Sequence, residues 1–128
     1  MLKDLSAGIK ISITRSITTA FEQYMEKISW DENKYDLSNF IKEWRTYINN
    51  HSTWFAKVDE QIKNNPRFHE DLAIKINETI EKIINEEPTE EQIQKLNELQ
   101  KKLKKEITYS CKAEAKYLIE TLEKQLEN

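Results

Sequence analysis

The chain has 128 residues, a net charge of −3, 34% charged and 38% hydrophobic residues, one Gly, two Pro and one Cys. So little turn-forming material argues against a β-rich fold of tight hairpins, and a lone cysteine excludes an intrachain disulfide. What remains is the composition of α-helices with one apolar stripe and one solvated charged face, in a chain long enough for one domain over residues 1–128.

The first helix is expected from about Asp4 to Ile28. Leu5, Ile9, Ile13, Ile17, Ala20, Tyr24 and Ile28 recur every three or four residues, with Phe21 and Met25 beside them. Inside it, "IKISITRSITT" alternates Ile with polar residues, which is also a strand pattern. The helical period wins because it continues unbroken to Ile28. "SWDENKYD" (29–36) then reads as a linker, unusual in carrying Trp30.

The second helix has the clearest signal. Leu37, Ile41, Trp44, Ile48, His51, Phe55, Val58 and Ile62 are spaced 4-3-4-3-4-3-4, with Phe40, Tyr47 and Trp54 as a second row seven residues apart. "KNNP" ends it, with Asn65 placed to cap a third helix and Pro66 at that helix's first position. Phe68, Leu72, Ile76, Ile80, Ile83 and Ile84 form the third stripe. Thr89 and Gln92 make a capping box for a fourth helix, expected to run from Glu90 almost to Asn128, about 55–58 Å at 1.5 Å per residue. Its stripe is Ile93, Leu96, Leu103, Ile107, Cys111, Leu118, Leu122 and Leu126. Short connections favour antiparallel neighbours, so the expected fold is all-α: an antiparallel up-down four-helix bundle with a long C-terminal helix.

The stretch "RTYINNH", Arg45 to His51, resembles the Arg–x(4–6)–His signature of the HEPN ribonucleases, which are small helical bundles. The resemblance covers seven residues. It implies metal-independent RNA cleavage, usually by a dimer, with Arg45 stabilising the developing phosphate charge and His51 transferring a proton. Two physical arguments oppose it. Residues six apart on a continuous helix are rotated by about 240°, which turns Arg45 and His51 to different faces. His51 also occupies the apolar seam, which predicts a buried imidazole partnered by Tyr47, Thr108 or Ser110. A break at "NNHST" would weaken the first argument, because Asn, Ser and Thr compete for backbone hydrogen bonds.

Other chemistry finds few residues to work with. A ferritin-like metal centre needs Glu-x-x-His, and the residues three before His51 and His69 are Ile48 and Pro66. Cys111 lies on an apolar stripe and reads as a small core residue. One glycine cannot build a phosphate loop. No metal, cofactor or metabolic catalysis is expected.

Charge is unevenly placed. Residues 70–91 hold two Lys against eight Asp/Glu, a net of −6, whereas 93–116 hold seven Lys against three Glu, a net of +4. Lys101, Lys102, Lys104 and Lys105 read best as a solvated helix face; the functional alternatives are an acidic partner, a second copy of the chain, or nucleic acid, the last disfavoured because no aromatic is interleaved. Trp30 reads first as a plug for one end of the bundle and otherwise, with Tyr35, as a second candidate partner surface. There is no signal-peptide core and no apolar run of membrane-spanning length. The expectation is a cytoplasmic protein, bacterial or phage, acting non-catalytically through a protein partner or a homodimer. The alternative is the HEPN-like ribonuclease.

Overall fold

The computed structural model describes residues 4–127, and the described residues are helical with no strand. Seven α-helices follow in order: α1 (Ala7–Lys27), α2 (Leu37–His51), α3 (Trp54–Lys57), α4 (Glu60–Lys63), α5 (Pro66–Asn85), α6 (Glu90–Leu103) and α7 (Lys112–Glu127), with a 3-10 turn at Glu32–Lys34. Backbone contacts divide into two compact units between Ile80 and Glu81. The all-α expectation holds. Two of the four expected long helices do not: the second is three pieces, and the fourth is two.

In the first unit, α1 is helical through its β-branched run, and its hydroxyls find local partners. The Ser6 side chain accepts from Ile9 N–H (3.2 Å), Thr14 donates to the Lys10 carbonyl (3.2 Å), and Ser16 donates to the Ile13 carbonyl (2.7 Å). Ile13, Ile17, Ala20, Phe21, Tyr24 and Met25 of the stripe read from the sequence are buried, while Leu5, Ile9 and Ile28 at its ends are half-buried.

The end of α1 is strained. Ser29 (φ 56°) and Trp30 (φ 55°) are consecutive left-handed residues, and neither is glycine. Such a conformation costs roughly 1–2 kcal/mol per residue. In return Trp30 N–H reaches the Met25 carbonyl (2.7 Å), and the indole, 9% exposed, packs edge-on to Phe21 at 6.2 Å. Burying a ring that size returns roughly 1.5–3 kcal/mol, comparable to the strain. Phe21 also meets Tyr35 (6.2 Å) and Phe40 (5.5 Å), so an aromatic cluster closes this end of the unit.

Asp36 caps α2 by accepting from Asn39 N–H (3.0 Å), while its own N–H donates to the Tyr24 hydroxyl (3.0 Å). α1 packs on α2, and the short α3 packs on both. Phe40, Trp44 and Ile48 are the buried face of α2. Trp44 Nε1–H donates to the Ser16 hydroxyl at 3.2 Å inside this core. The helix then stops at His51, with Ser52 extended (φ −109°, ψ 131°). A second stop follows at Val58, after which the Asp59 carboxylate accepts from Gln61 N–H (2.7 Å) to start α4. Polar side chains at 49–53 and an aspartate able to cap compete with helix continuation, and the break folds Trp54 back to stack on Trp44 (6.4 Å). α5 begins as expected, with Arg67 N–H donating to Asn65 Oδ1 (2.8 Å) and Pro66 first. Phe68, Leu72, Ile76 and Thr79 are its buried residues in this unit.

In the second unit, the expected capping box forms: Gln92 N–H donates to the Thr89 hydroxyl (3.1 Å), and Thr89 N–H to Gln92 Oε1 (3.0 Å). α6 ends at Leu103, followed by Lys104 in the left-handed region (φ 55°, ψ 43°). Lys112 N–H donates to the Glu86 carbonyl (2.8 Å) and its carbonyl accepts from Gln92 Nε2 (3.3 Å), so α7 starts beside the start of α6. Lys105 Nζ donates to Gln125 Oε1 (2.8 Å), so the two helices also finish together. They run parallel, not as one rod. The fourteen residues of α6 span about 21 Å, and the seven residues 105–111 cover about 23 Å only when nearly straight. "ITYS" suits that extended return, and Glu114 restarts the helix by accepting from Ser110 N–H (2.8 Å). Leu96, Leu99, Ala115 and Leu122 form the buried cluster, with Leu103, Ile107, Tyr109, Leu118 and Ile119 packed around it.

Candidate functional site

Among the described residues of the first unit, two openings lie along α2, one on each side. The first, about 190 Å³, lies between α2 and α5. Ile41, Trp44 and Ile48 line it from α2, Phe68, Leu72, Ala73 and Ile76 from α5, and Phe55 from α3. Its polar groups are Arg45, Asn49 and His69, with no carboxylate among the lining side chains. α5 approaches α2 less closely than α1 does, and side chains rather than backbones bridge the gap. Beside this opening, Lys63 Nζ sits 4.4 Å over the Phe55 ring and 3.4 Å from Glu60 Oε1.

The second opening, about 390 Å³, lies between α1 and α2. Gln23 and Lys27 line it from one side and Lys42, Glu43, Thr46, Tyr47, Asn50 and His51 from the other, over Ala20. Lys27 and Glu43 neutralise each other at 2.7 Å. Charged, amide and hydroxyl side chains make up most of its lining residues, whereas a typical small-molecule site is lined mainly by apolar side chains.

These two openings separate the residues that resemble the ribonuclease motif. Arg45 and His51 share one unbroken helix, but Arg45 lines the apolar cleft and His51 the polar one. The expected burial of His51 is corrected: the imidazole is exposed, and its neighbour is Tyr47 at 5.4 Å between ring centroids. The seam spacing misled because it continues in sequence through the point where the helix ends. A last-turn residue has no following turn to hold it inward, and Trp54 takes the core position instead. The Ser110 hydroxyl, expected to serve His51, bonds Glu114 (3.3 Å). A buried polar pair does exist in the core, between Trp44 and Ser16.

Among the residues singled out as partner surfaces, Trp30 is buried and Tyr35 half-buried. Burial raises the Tyr35 phenol above its ordinary value of 10.0, with smaller contributions from Tyr24 and Asp36. Lys101, Lys102, Lys104 and Lys105 are all exposed around the end of α6. Lys105 bonds Gln125, and the other three make no ion pair among the described residues. Among the described residues no group of three or more His, Cys, Asp or Glu is placed to hold a metal ion, and no helix is long and apolar enough to cross a membrane.

No family model, curated protein or solved structure matches the chain. The geometry therefore carries the functional argument alone. Sequence reasoning missed His69 and Asn49 as parts of a site. The stripes on α2 and α5 were visible, but the gap between them depends on how far apart two helices settle. No periodicity encodes that distance.

Proposed function

We propose that this chain is a non-catalytic protein-interaction module whose contact surface is the cleft between α2 and α5. One observation carries the reading. Trp44, Ile48, Phe68, Leu72 and Ile76, themselves buried, leave between them an opening about 190 Å³ in size. That is below the roughly 300–1,000 Å³ of small-molecule pockets, and it suits an apolar anchor side chain from a protein partner. The two long walls, α2 and α5, are each started by a side-chain cap, Asp36 and Asn65, so the cleft is pre-formed and little ordering cost falls on binding.

A photo-crosslinking amino acid at Asn49, on the cleft rim, is expected to capture a discrete partner in cells. The same group at Gln23, in the polar trough, is expected to capture none. An adduct from Gln23 but not from Asn49 would move the contact surface elsewhere.

A further inference from the structure

We infer that the partner element docking in this cleft is an amphipathic helix that flanks its apolar anchors with carboxylates. The inference rests on reading the cleft as the contact surface. The walls present residues at helical spacing: Ile41, Arg45 and Asn49 with Trp44 and Ile48 on one side, His69, Ala73 and Ile76 with Leu72 on the other. From 41 to 49 the α2 wall is about 12 Å long, a little over two helical turns, enough for anchors at i, i+3 or i+4, and i+7. A helix laid there sets one apolar anchor into the opening lined by the buried Trp44, Ile48, Phe68 and Leu72, and lays its flanking anchors over the half-buried Ile41 and the exposed Ala73.

Charge then selects which helix. Arg45 and His69 supply all the ionisable groups lining the cleft, and neither makes an ion pair among the described residues. The guanidinium offers five N–H donors in a fork that fits a carboxylate two bonds at a time. Asn49 adds an amide on the same edge. A helix bearing Lys or Arg beside its anchors meets repulsion here with no acid to offset it. One bearing Glu or Asp meets Arg45, His69 and an amide donor.

A second copy of this chain is the less suitable occupant. Its own acid-flanked apolar residue in this unit is Ile74, 57% exposed, with Glu70 and Glu78 one turn to either side. Ile74 is rotated about 140° from His69 on α5, so it faces away from the cleft. Copies joined through it would add head to tail and not close into a dimer.

The test uses the full chain as bait for a displayed library of randomised 16-residue helical peptides, with the cleft filled by Ala73→Trp in one variant and its charge reversed by Arg45→Glu in another. Recovered peptides are expected to carry Asp or Glu beside an i, i+3/i+4, i+7 apolar row. Ala73→Trp should abolish their binding, and Arg45→Glu should weaken it about tenfold and flatten its dependence on salt. Asn49→Trp fills the cleft from the other wall if Ala73→Trp does not fold. Peptides blocked by the filling variants but lacking acids, or indifferent to Arg45→Glu, overturn the acidic partner and leave the cleft standing. Recovery of none, or only of peptides that the filled cleft still binds, overturns both. A concentration-dependent rise in mass of the purified chain that Arg45→Glu abolishes would make the second copy the occupant and overturn the inference.

Discussion

The chain up to Ile80 and the chain after it are built by different rules. The first part holds all three Trp and all four Phe, two consecutive left-handed residues, two helix breaks between α2 and α4, and an open apolar cleft. The second part has a core of Leu and Ala, a complete capping box and a carboxylate that restarts its last helix. Large rings fill space only in particular orientations, so the backbone bends to seat them. Aliphatic side chains pack in more orientations, and among the described residues of the second part the left-handed region is entered once, at Lys104. The aromatic part is also where indole N–H groups go unpaired: Trp30 Nε1 and Trp54 Nε1 are buried without a hydrogen-bond partner, and only Trp44 has one.

That contrast can be broken by experiment. The largest effect is expected from Trp54→Ala, which empties the position stacked on Trp44 at 1% exposure. A loss of about 3–5 kcal/mol in denaturant unfolding is expected, and a loss under 1 kcal/mol would mean that the α3 break is not held by this ring. Next, Ser16→Ala removes the one acceptor serving a tryptophan and leaves all three indoles unpaired. It should cost about 1–3 kcal/mol, and a neutral result would show that this core tolerates orphan N–H groups freely.

Lys104→Gly probes the second part, where a single left-handed residue ends α6. Glycine relieves the Cβ clash but enlarges the unfolded ensemble, so a net gain of about 0.5–1 kcal/mol is expected in thermal or denaturant unfolding. A net loss would show that the lysine side chain itself contributes at the end of α6. The smallest effect concerns alkaline pH. Tyr35 is held neutral above its ordinary value of 10.0, so its contribution is complete below that pH and declines as pH rises through the elevated folded value. Tyr35→Phe should flatten the alkaline limb of a stability profile. An unchanged limb would assign that loss to other groups.

Much of the fold was legible in the residues. The stripe of α1, the start of α5 at Asn65–Pro66 and the Thr89–Gln92 capping box all follow from local chemistry acting over one or two turns. His51 and the run after Lys104 were misread because the same 4-3 spacing persists where the helix itself does not. The turn signals there were real but local: "NNHST" and "ITYS" offered the backbone other partners, and packing decided that those partners won. The site was less legible than the fold. Arg45 was noticed for a pairing with His51, which the helix turns to another face, whereas its neighbours across the cleft are His69 and Leu72, more than twenty residues away.

Sequence alone determined that this chain is helical and where its best caps lie, because those properties depend on neighbours within a few positions. It marked only part of the core, since Leu37, His51, Ile84, Ile93 and Leu126 lie on its stripes yet are exposed. Tertiary structure decided where the long stripes break, that α6 and α7 run parallel, and that α2 and α5 stand far enough apart to leave a cleft. Each of these depends on how side chains distant in sequence share one volume, and a balance of ring packing, backbone strain and connection length sets the outcome.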